Sequence, residues 1–252
     1  MESFQFEKEY KIPVYDTGPD GKLTLYSIFN YMQDIASEHA VRLNFGRDDL
    51  MKANHFWVLS RIVAKIDKWP GWEETIVVRT WPRGTDKLFA LRDYEILYQD
   101  GRHIASGTSS WLIVDITSKR IQRPDVMLTR FNSGSSIKSS LGINPGKVEL
   151  PSDIGSASDH FKVKVSDLDV NLHTNNVRYI KWVTDTYDLD YIQDHETVSL
   201  EVNYLAESVF GEEVFIRSYR NDPDSSFVHS IIRSADNKEL ARMRIDWRNC
   251  GR

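Results

Sequence analysis

In the second half of the chain, two residues able to do acid–base chemistry and an amide between them stand at alternate positions. They are Asp169, Asn171 and His173, within Ser166-Asp167-Leu168-Asp169-Val170-Asn171-Leu172-His173-Thr174-Asn175-Asn176-Val177. In an extended segment, side chains two apart point to one face. The spacing therefore predicts a carboxylate, an amide and an imidazole facing a common space. Asn175 or Asn176 can cap a helix that follows directly, and the free N–H groups of a helix start favour developing negative charge. A carboxylate, an amide and an imidazole would thus be delivered to a helix end that favours negative charge. Asp and Asn also serve simply as turn and cap formers, so the motif alone leaves both readings open. A metal site fits less well, because the other six histidines show no pairing spacing and a hard cation takes more carboxylates. No cofactor is expected.

The elements that must hold these residues come in two copies. Leu25, Ile28, Phe29, Met32, Ile35, Ala36, Ala40 and Leu43 step by three and four through residues 23–43, which predicts a helix with one buried face. Strands are predicted at 57–66, about 75–81, 89–98 and, after an Asp100-Gly101 turn, about 103–114. The second half repeats this order. Phe161, Val163 and Val165 alternate as a lead-in, and a helix carries Val177, Ile180, Val183 and Tyr187. Strands follow at about 197–205, 213–220 and 227–234, then a last one in which Ala241, Met243, Ile245 and Trp247 alternate. Single residues echo as well: Gly71-Trp72-Glu73-Glu74 with Gly211-Glu212-Glu213, Asp100-Gly101-Arg102 with Asp236-Asn237-Lys238, and Trp111 with Trp247.

A long helix followed by antiparallel strands buries both apolar faces when the sheet curls around the helix. This is the hotdog arrangement. The expected fold is thus α+β, a double hotdog with repeats at 1–116 and 159–252. A polar connector at 117–158 joins them, holding Arg123-Pro124, Asn132-Ser133-Gly134-Ser135-Ser136, Pro145-Gly146 and Gly155-Ser156. Aligning Phe161-Lys162-Val163 with Tyr10-Lys11-Ile12 places Gly18, Asp20 and Lys22 opposite Asp169, Asn171 and His173. One copy carries the chemical set and the other lacks it, which favours a catalytic role in the second.

Composition narrows the classes. Net charge is −5, from 32 Lys plus Arg against 37 Asp plus Glu, which argues against a general nucleic-acid binder. No apolar run approaches the roughly 20 residues that cross a bilayer, so membrane insertion is not expected. The start, Met1 to Glu9, has neither a secretion-signal nor a transit-peptide pattern, and a cytoplasmic location is expected. Cys250 is the single cysteine, which excludes intrachain disulfides and cysteine-based zinc sites.

The run from Asp167 to Ile180 closely resembles the signature of the acyl-acyl carrier protein thioesterases of plants and bacteria. The resemblance continues through Leu200-Glu201-Val202-Asn203-Tyr204-Leu205-Ala206-Glu207-Ser208, Phe56-Trp57-Val58-Leu59-Ser60-Arg61 and Trp81-Pro82-Arg83-Gly84. It implies hydrolysis of fatty acyl-acyl carrier protein. The catalytic positions would be Asp169, Asn171, His173 and Glu207 in the second repeat, and the acyl chain would lie largely in the first. Ile28, Met32 and Ile35 are the candidate acyl-pocket residues, with simple core filling as the alternative. Many plant members carry Cys directly after the Glu; here that residue is Ser208, so a Cys–His nucleophile is missing and carboxylates must act. In this reading Glu207 and His173 position and deprotonate a water and Asn171 orients the substrate. N–H groups at the start of a 175–187 helix hold the oxyanion, and Asp169 either orients the network or attacks to form a mixed anhydride. Lys162, Lys164, Arg178 and Lys181 either meet an acidic carrier or form an ordinary solvated face. The expected partner is acyl carrier protein bearing its fatty acyl chain, and both monomer and homodimer are compatible. Competing readings are an acyl-CoA thioesterase, a hotdog dehydratase and a non-catalytic acyl-binding module.

Overall fold

In a computed structural model, residues 4–124, 138–152, 155–222 and 225–251 are described. The Asn132–Ser136 stretch of the connector lies outside them. The chain divides into two units, Met1–Pro145 and Gly146–Arg252.

In the first unit, β1 (Phe6–Lys11) leads through a single 3-10 turn into α1 (Leu25–Arg42) and the short α2 (Arg47–Lys52). The strands β2 (His55–Ile66), β3 (Thr75–Asp86), β4 (Phe89–Tyr98), β5 (His103–Asp115) and the two-residue β6 (Ile121–Gln122) follow. Antiparallel pairing sets the order β1-β3-β4-β5-β2, with β6 against β5. The face of α1 that reads apolar in the sequence is the face that is buried. Leu25, Ile28, Phe29, Met32, Ile35 and Ala36 pack in the same core as Ile76, Val78, Ile96 and Ile104 of the strands. The strand β3 runs past the Trp81 end expected from sequence. Its register slips between Pro82 and Gly84, and a bulge is where a strand tolerates the residue without an N–H.

The second unit repeats this plan. β7 (Ser156–Lys162) leads through a 3-10 turn at Val165–Asp167 into α3 (Asn176–Thr184) and the short α4 (Leu189–Asp194). Then come β8 (His195–Tyr204), β9 (Glu213–Asp222), β10 (Ser226–Arg233) and β11 (Glu239–Asn249). The order β7-β9-β10-β11-β8 reproduces that of the first unit strand for strand. The fold is the expected α+β double hotdog.

Three local features depart from the sequence reading. The second helix has 9 residues against 18 in the first. The hydroxyls of Thr184 and Thr186 turn back onto the carbonyls of Ile180 and Val183, which competes with helix continuation, so Tyr187 lies beyond the helix end. The six-residue helices α2 and α4 were not read from sequence, since so few residues give no period. The described end of the connector is tied down by contacts that were not read from sequence. In the first unit, Ser140 N–H donates to Asp93 at 2.8 Å, and Arg83 donates to Ser139 and Asn144. In the second, Gly146 and Val148 N–H donate to Glu201 and Asn203.

Candidate active site

The residues from Asp169 to His173 form a tight turn, not the extended segment expected. Leu172 N–H donates to Asp169 O at 3.0 Å, Asp169 N–H donates to His173 O at 2.8 Å, and Leu168 bridges Thr174 across the turn. Alternate side chains on a turn do not share a face, so the two-residue spacing acts through another route. One Asp169 carboxylate oxygen accepts from the N–H of Asn171 at 2.8 Å and of His173 at 3.2 Å. Asp169 therefore fixes the main chain that carries the other two residues. Asn171 stands exposed at the turn.

The first unit closes the same turn without the chemistry. Gly21 N–H donates to Gly18 O, Gly18 N–H to Lys22 O, and Thr17 bridges Leu23, while an Asp20 carboxylate oxygen accepts from Lys22 N–H. The correspondence of Gly18, Asp20 and Lys22 with the motif is thus structural as well as sequential. The Gly71–Gly211 echo is offset, however. Lys22 bridges Gly71, and His173 bridges Val209. The carboxylate of Glu74 accepts from Gly71 N–H as that of Glu212 does from Val209 N–H. Gly71 therefore matches Val209, and Trp69 occupies the place of Glu207.

Glu207 comes to the turn from the segment that follows β8. Its carboxylate lies 3.4 Å from His173 Nε2, with the two side chains 56% and 38% exposed, so water reaches both. This is slightly long for a hydrogen bond. The pair is held mostly by main-chain and buried contacts. Thr174 N–H donates to Ser208 O at 2.8 Å, and the fully buried Ser208 hydroxyl meets Thr174 Oγ1 at 2.7 Å and Tyr179 OH at 2.8 Å. Arg233 donates to the Glu207 carbonyl at 2.7 Å while pairing with Glu212 at 3.2 Å. The sequence reading treated Ser208 only as a missing cysteine and did not single out Thr174, Tyr179 or Arg233. Tyr179 and Thr174 lie inside the motif, and a hydroxyl cluster three to five residues around a helix start was the available signal.

At the helix start, Asn175 caps as expected, its side chain accepting from Val177 N–H at 2.9 Å. Arg178 N–H donates to Asn175 O. Capping thus consumes donors that the sequence reading gave to an oxyanion, and Asn176 N–H, at the first helical position, has no acceptor among the described residues.

The other candidate residues are placed as follows. Ile28, Met32 and Ile35 are completely packed, with Met32 Cε 3.2 Å from where a Cβ on Gly107 would stand. Lys181 pairs with Asp185, and Arg178 lies 4.0 Å from Asp167. Lys162 and Lys164 are exposed, with no carboxylate partner among the described residues. Among these residues no helix is long and apolar enough to cross a membrane.

Comparison with known proteins gives the same answer for both repeats. Residues 3–127 match the acyl-ACP thioesterase N-terminal domain and residues 152–249 the C-terminal domain. A palmitoyl-acyl carrier protein thioesterase of Gossypium hirsutum is 25% identical over 96% of this chain, which spans 63% of that protein. An oleoyl-acyl carrier protein thioesterase of Arabidopsis thaliana is 26% identical over 98% of this chain, and is itself covered to 77%. In fold, the chain superposes on the 12:0-ACP thioesterase from Umbellularia californica with a TM-score of 0.84, at 21% identity and 99% coverage of both chains. An acyl-ACP thioesterase from Bacteroides thetaiotaomicron gives a TM-score of 0.81 at 23% identity, covering 97% of this chain and 98% of that one. Matched across both of its repeats, the chain belongs to the acyl-ACP thioesterase family.

Proposed function

We propose that this protein hydrolyses the thioester of a fatty acyl group carried on acyl carrier protein, releasing the free acid. The observation that carries the reading is the water-accessible His173–Glu207 pair, 3.4 Å apart beside a helix start. Family membership and the acyl carrier protein substrates named for its relatives support it.

In this mechanism a water held against the exposed side of the Glu207–His173 pair gives up a proton to it as the water oxygen bonds to the thioester carbon. The carbonyl oxygen becomes an oxyanion, for which Asn176 N–H at the positive end of α3 is the available main-chain donor. Asn171 orients the acyl group. The C–S bond then breaks, the carbonyl re-forms, and the thiolate leaves with the proton returned through His173. Asp169 is assigned the orienting role. Its oxygen already accepts two backbone N–H bonds, which both fixes His173 and makes the carboxylate a poorer nucleophile. The acyl chain is assigned to the first unit, lined by Ile28, Met32 and Ile35 once their packing opens.

The test is hydrolysis by the purified protein of matched acyl thioesters on acyl carrier protein and on coenzyme A, followed by release of thiol and acid. A clear preference for the carrier-protein substrate supports the proposal. Preference for coenzyme A reassigns the carrier, and no release from either removes the activity.

A further inference from the structure

The motif turn has a feature that the hydrolytic mechanism does not use. Leu172 sits at φ 64°, in the left-handed region where a bulky side chain is strained. The side chain gains no burial in return, being 71% exposed. The first unit closes its equivalent turn with Gly21 at φ 72°, where no strain arises. Closing the turn therefore does not require leucine, and neither does the core. Strain kept at a reactive turn points to a use for the side chain.

Leu172 also does not stand alone. Val170, in the same turn, is 79% exposed. Val209, which bridges His173, and its chain neighbour Phe210 are 43% and 61% exposed. Single exposed apolar side chains are ordinary, but a group of four flanking one reactive pair marks a contact face. Lys162 and Lys164 lead into this turn. Lys162 sits across the β7–β9 register from Glu213, and neither lysine has an ion-pair partner among the described residues, so both ammonium groups can meet an outside anion.

We propose that Val170, Leu172 and Phe210 form the seat on which the acyl carrier protein docks, with Lys162 and Lys164 meeting its acidic side chains. This rests on the thioesterase reading, because it names the partner of that same site. A carrier must bring the end of its prosthetic arm to His173 and Glu207, and the turn tip lies next to that pair. The apolar tip supplies contact area, and the two exposed lysines match the sign of an acidic carrier and of no basic one.

The test uses two double variants, Leu172→Gly with Phe210→Ser, and Lys162→Glu with Lys164→Glu. Gly21 in the first repeat shows that glycine closes this turn. Each variant is assayed on palmitoyl-acyl carrier protein and on the matching palmitoyl-pantetheine thioester, and binding of unacylated carrier protein is titrated alongside. The expected result is a roughly tenfold loss of kcat/KM on the carrier substrate, mainly through KM, against less than about twofold on the pantetheine thioester. Carrier binding should weaken in parallel, and for the lysine pair its salt dependence should flatten. Equal losses on both substrates, or no loss on either, would overturn the docking seat. A self-associating parent whose dimer the Leu172→Gly/Phe210→Ser variant breaks would assign the face to a second copy instead. If the parent protein hydrolyses neither substrate yet its carrier binding is lost in the variants, the hydrolytic reading fails and the docking seat stands.

Discussion

The hydroxyls of Tyr179 and Ser208 meet at 2.8 Å in a space closed to solvent, and that contact helps decide where Glu207 stands. The helix is thereby joined to the segment after β8 one residue from the acid. A serine with no exposed surface is a poor nucleophile for a bulky thioester but a good fastener. Ser208→Ala should leave Tyr179 and Thr174 short of a partner and cost about 1–3 kcal/mol of stability. Turnover should fall by roughly threefold to tenfold, with KM little changed, if the loss is one of positioning. A fall as deep as that of the His173 variant would place the Ser208 hydroxyl in the chemistry instead.

His173→Ala and Glu207→Gln should each lower kcat by about 10²-fold or more, the usual scale for an acid–base group. Because the two act as a pair, the double variant should be little worse than either single one. Single-turnover release of thiol measures this directly. Near-normal release in one variant would strike that residue from the mechanism.

Asp169 separates two chemistries. Asp169→Asn keeps an oxygen able to accept from Asn171 and His173 N–H, whereas Asp169→Ala removes it. An orienting role predicts that the asparagine form retains activity within about tenfold of the parent and that the alanine form loses about 10²-fold. A nucleophilic role predicts that both forms are inactive. In that case hydrolysis in heavy-oxygen water would also label the Asp169 carboxylate of the parent enzyme wherever water opens the anhydride at the aspartyl carbonyl.

Two histidines outside the site set the acid limit of the fold. Burial holds His229 down to about 3 and His39 down to about 4, against an ordinary 6.5. The neighbouring Arg92 and Arg42 add to the depression at His39. Both are neutral when folded but take up a proton when unfolded below pH 6.5. The unfolded state then binds more protons, and stability falls as pH drops from about 6.5 towards 4. By roughly pH 5, His229 alone should account for about 2 kcal/mol. Urea midpoints measured from about pH 7.5 down to 5 should show the decline, and His229→Gln should flatten it. A stability that holds constant over this range would contradict the assignment of a neutral buried His229.

Asp93 is a fully buried carboxylate with Arg83 at 3.4 Å, Thr108 at 2.9 Å and Ser140 N–H at 2.8 Å. Burial pushes its pKa up, and its hydrogen bonds and Arg83 pull against that. Asp93→Ala would leave Arg83 largely buried without its carboxylate and should cost about 3–5 kcal/mol. A cost below about 1 kcal/mol, by denaturant midpoint, would mean that the cluster contributes nothing.

The element order was readable because both repeats alternate apolar residues with the periods that helices and strands impose. Leu25 to Ala36 on α1 and Ala241 to Trp247 on β11 carry that signal over enough residues to be unambiguous. The motif turn was misread for the opposite reason. Five residues with polar groups at alternate positions fit a strand and a turn equally well, and the hydrogen bonds that decide between them come from Asp169 onto its own neighbours. The pairing of Glu207 with His173 was expected from the family resemblance, and no local period could have supplied it, since the two residues meet through a long-range bridge between His173 and Val209. Likewise the burial of Asp93 and His39 was not readable, because nothing in a linear sequence announces a buried partner such as Ser140 or Arg92.

The twin turn at Gly18–Lys22 has a consequence for how activity decays in such proteins. Its main-chain hydrogen bonds form as well as those at Asp169–His173, though the imidazole is gone and a tryptophan stands where the acid would be. Scaffold and reactivity are thus separable debts to selection: a descendant stripped of its imidazole would melt at nearly the same temperature as its parent. Calorimetry would not notice an extinct enzyme of this build; only an assay would.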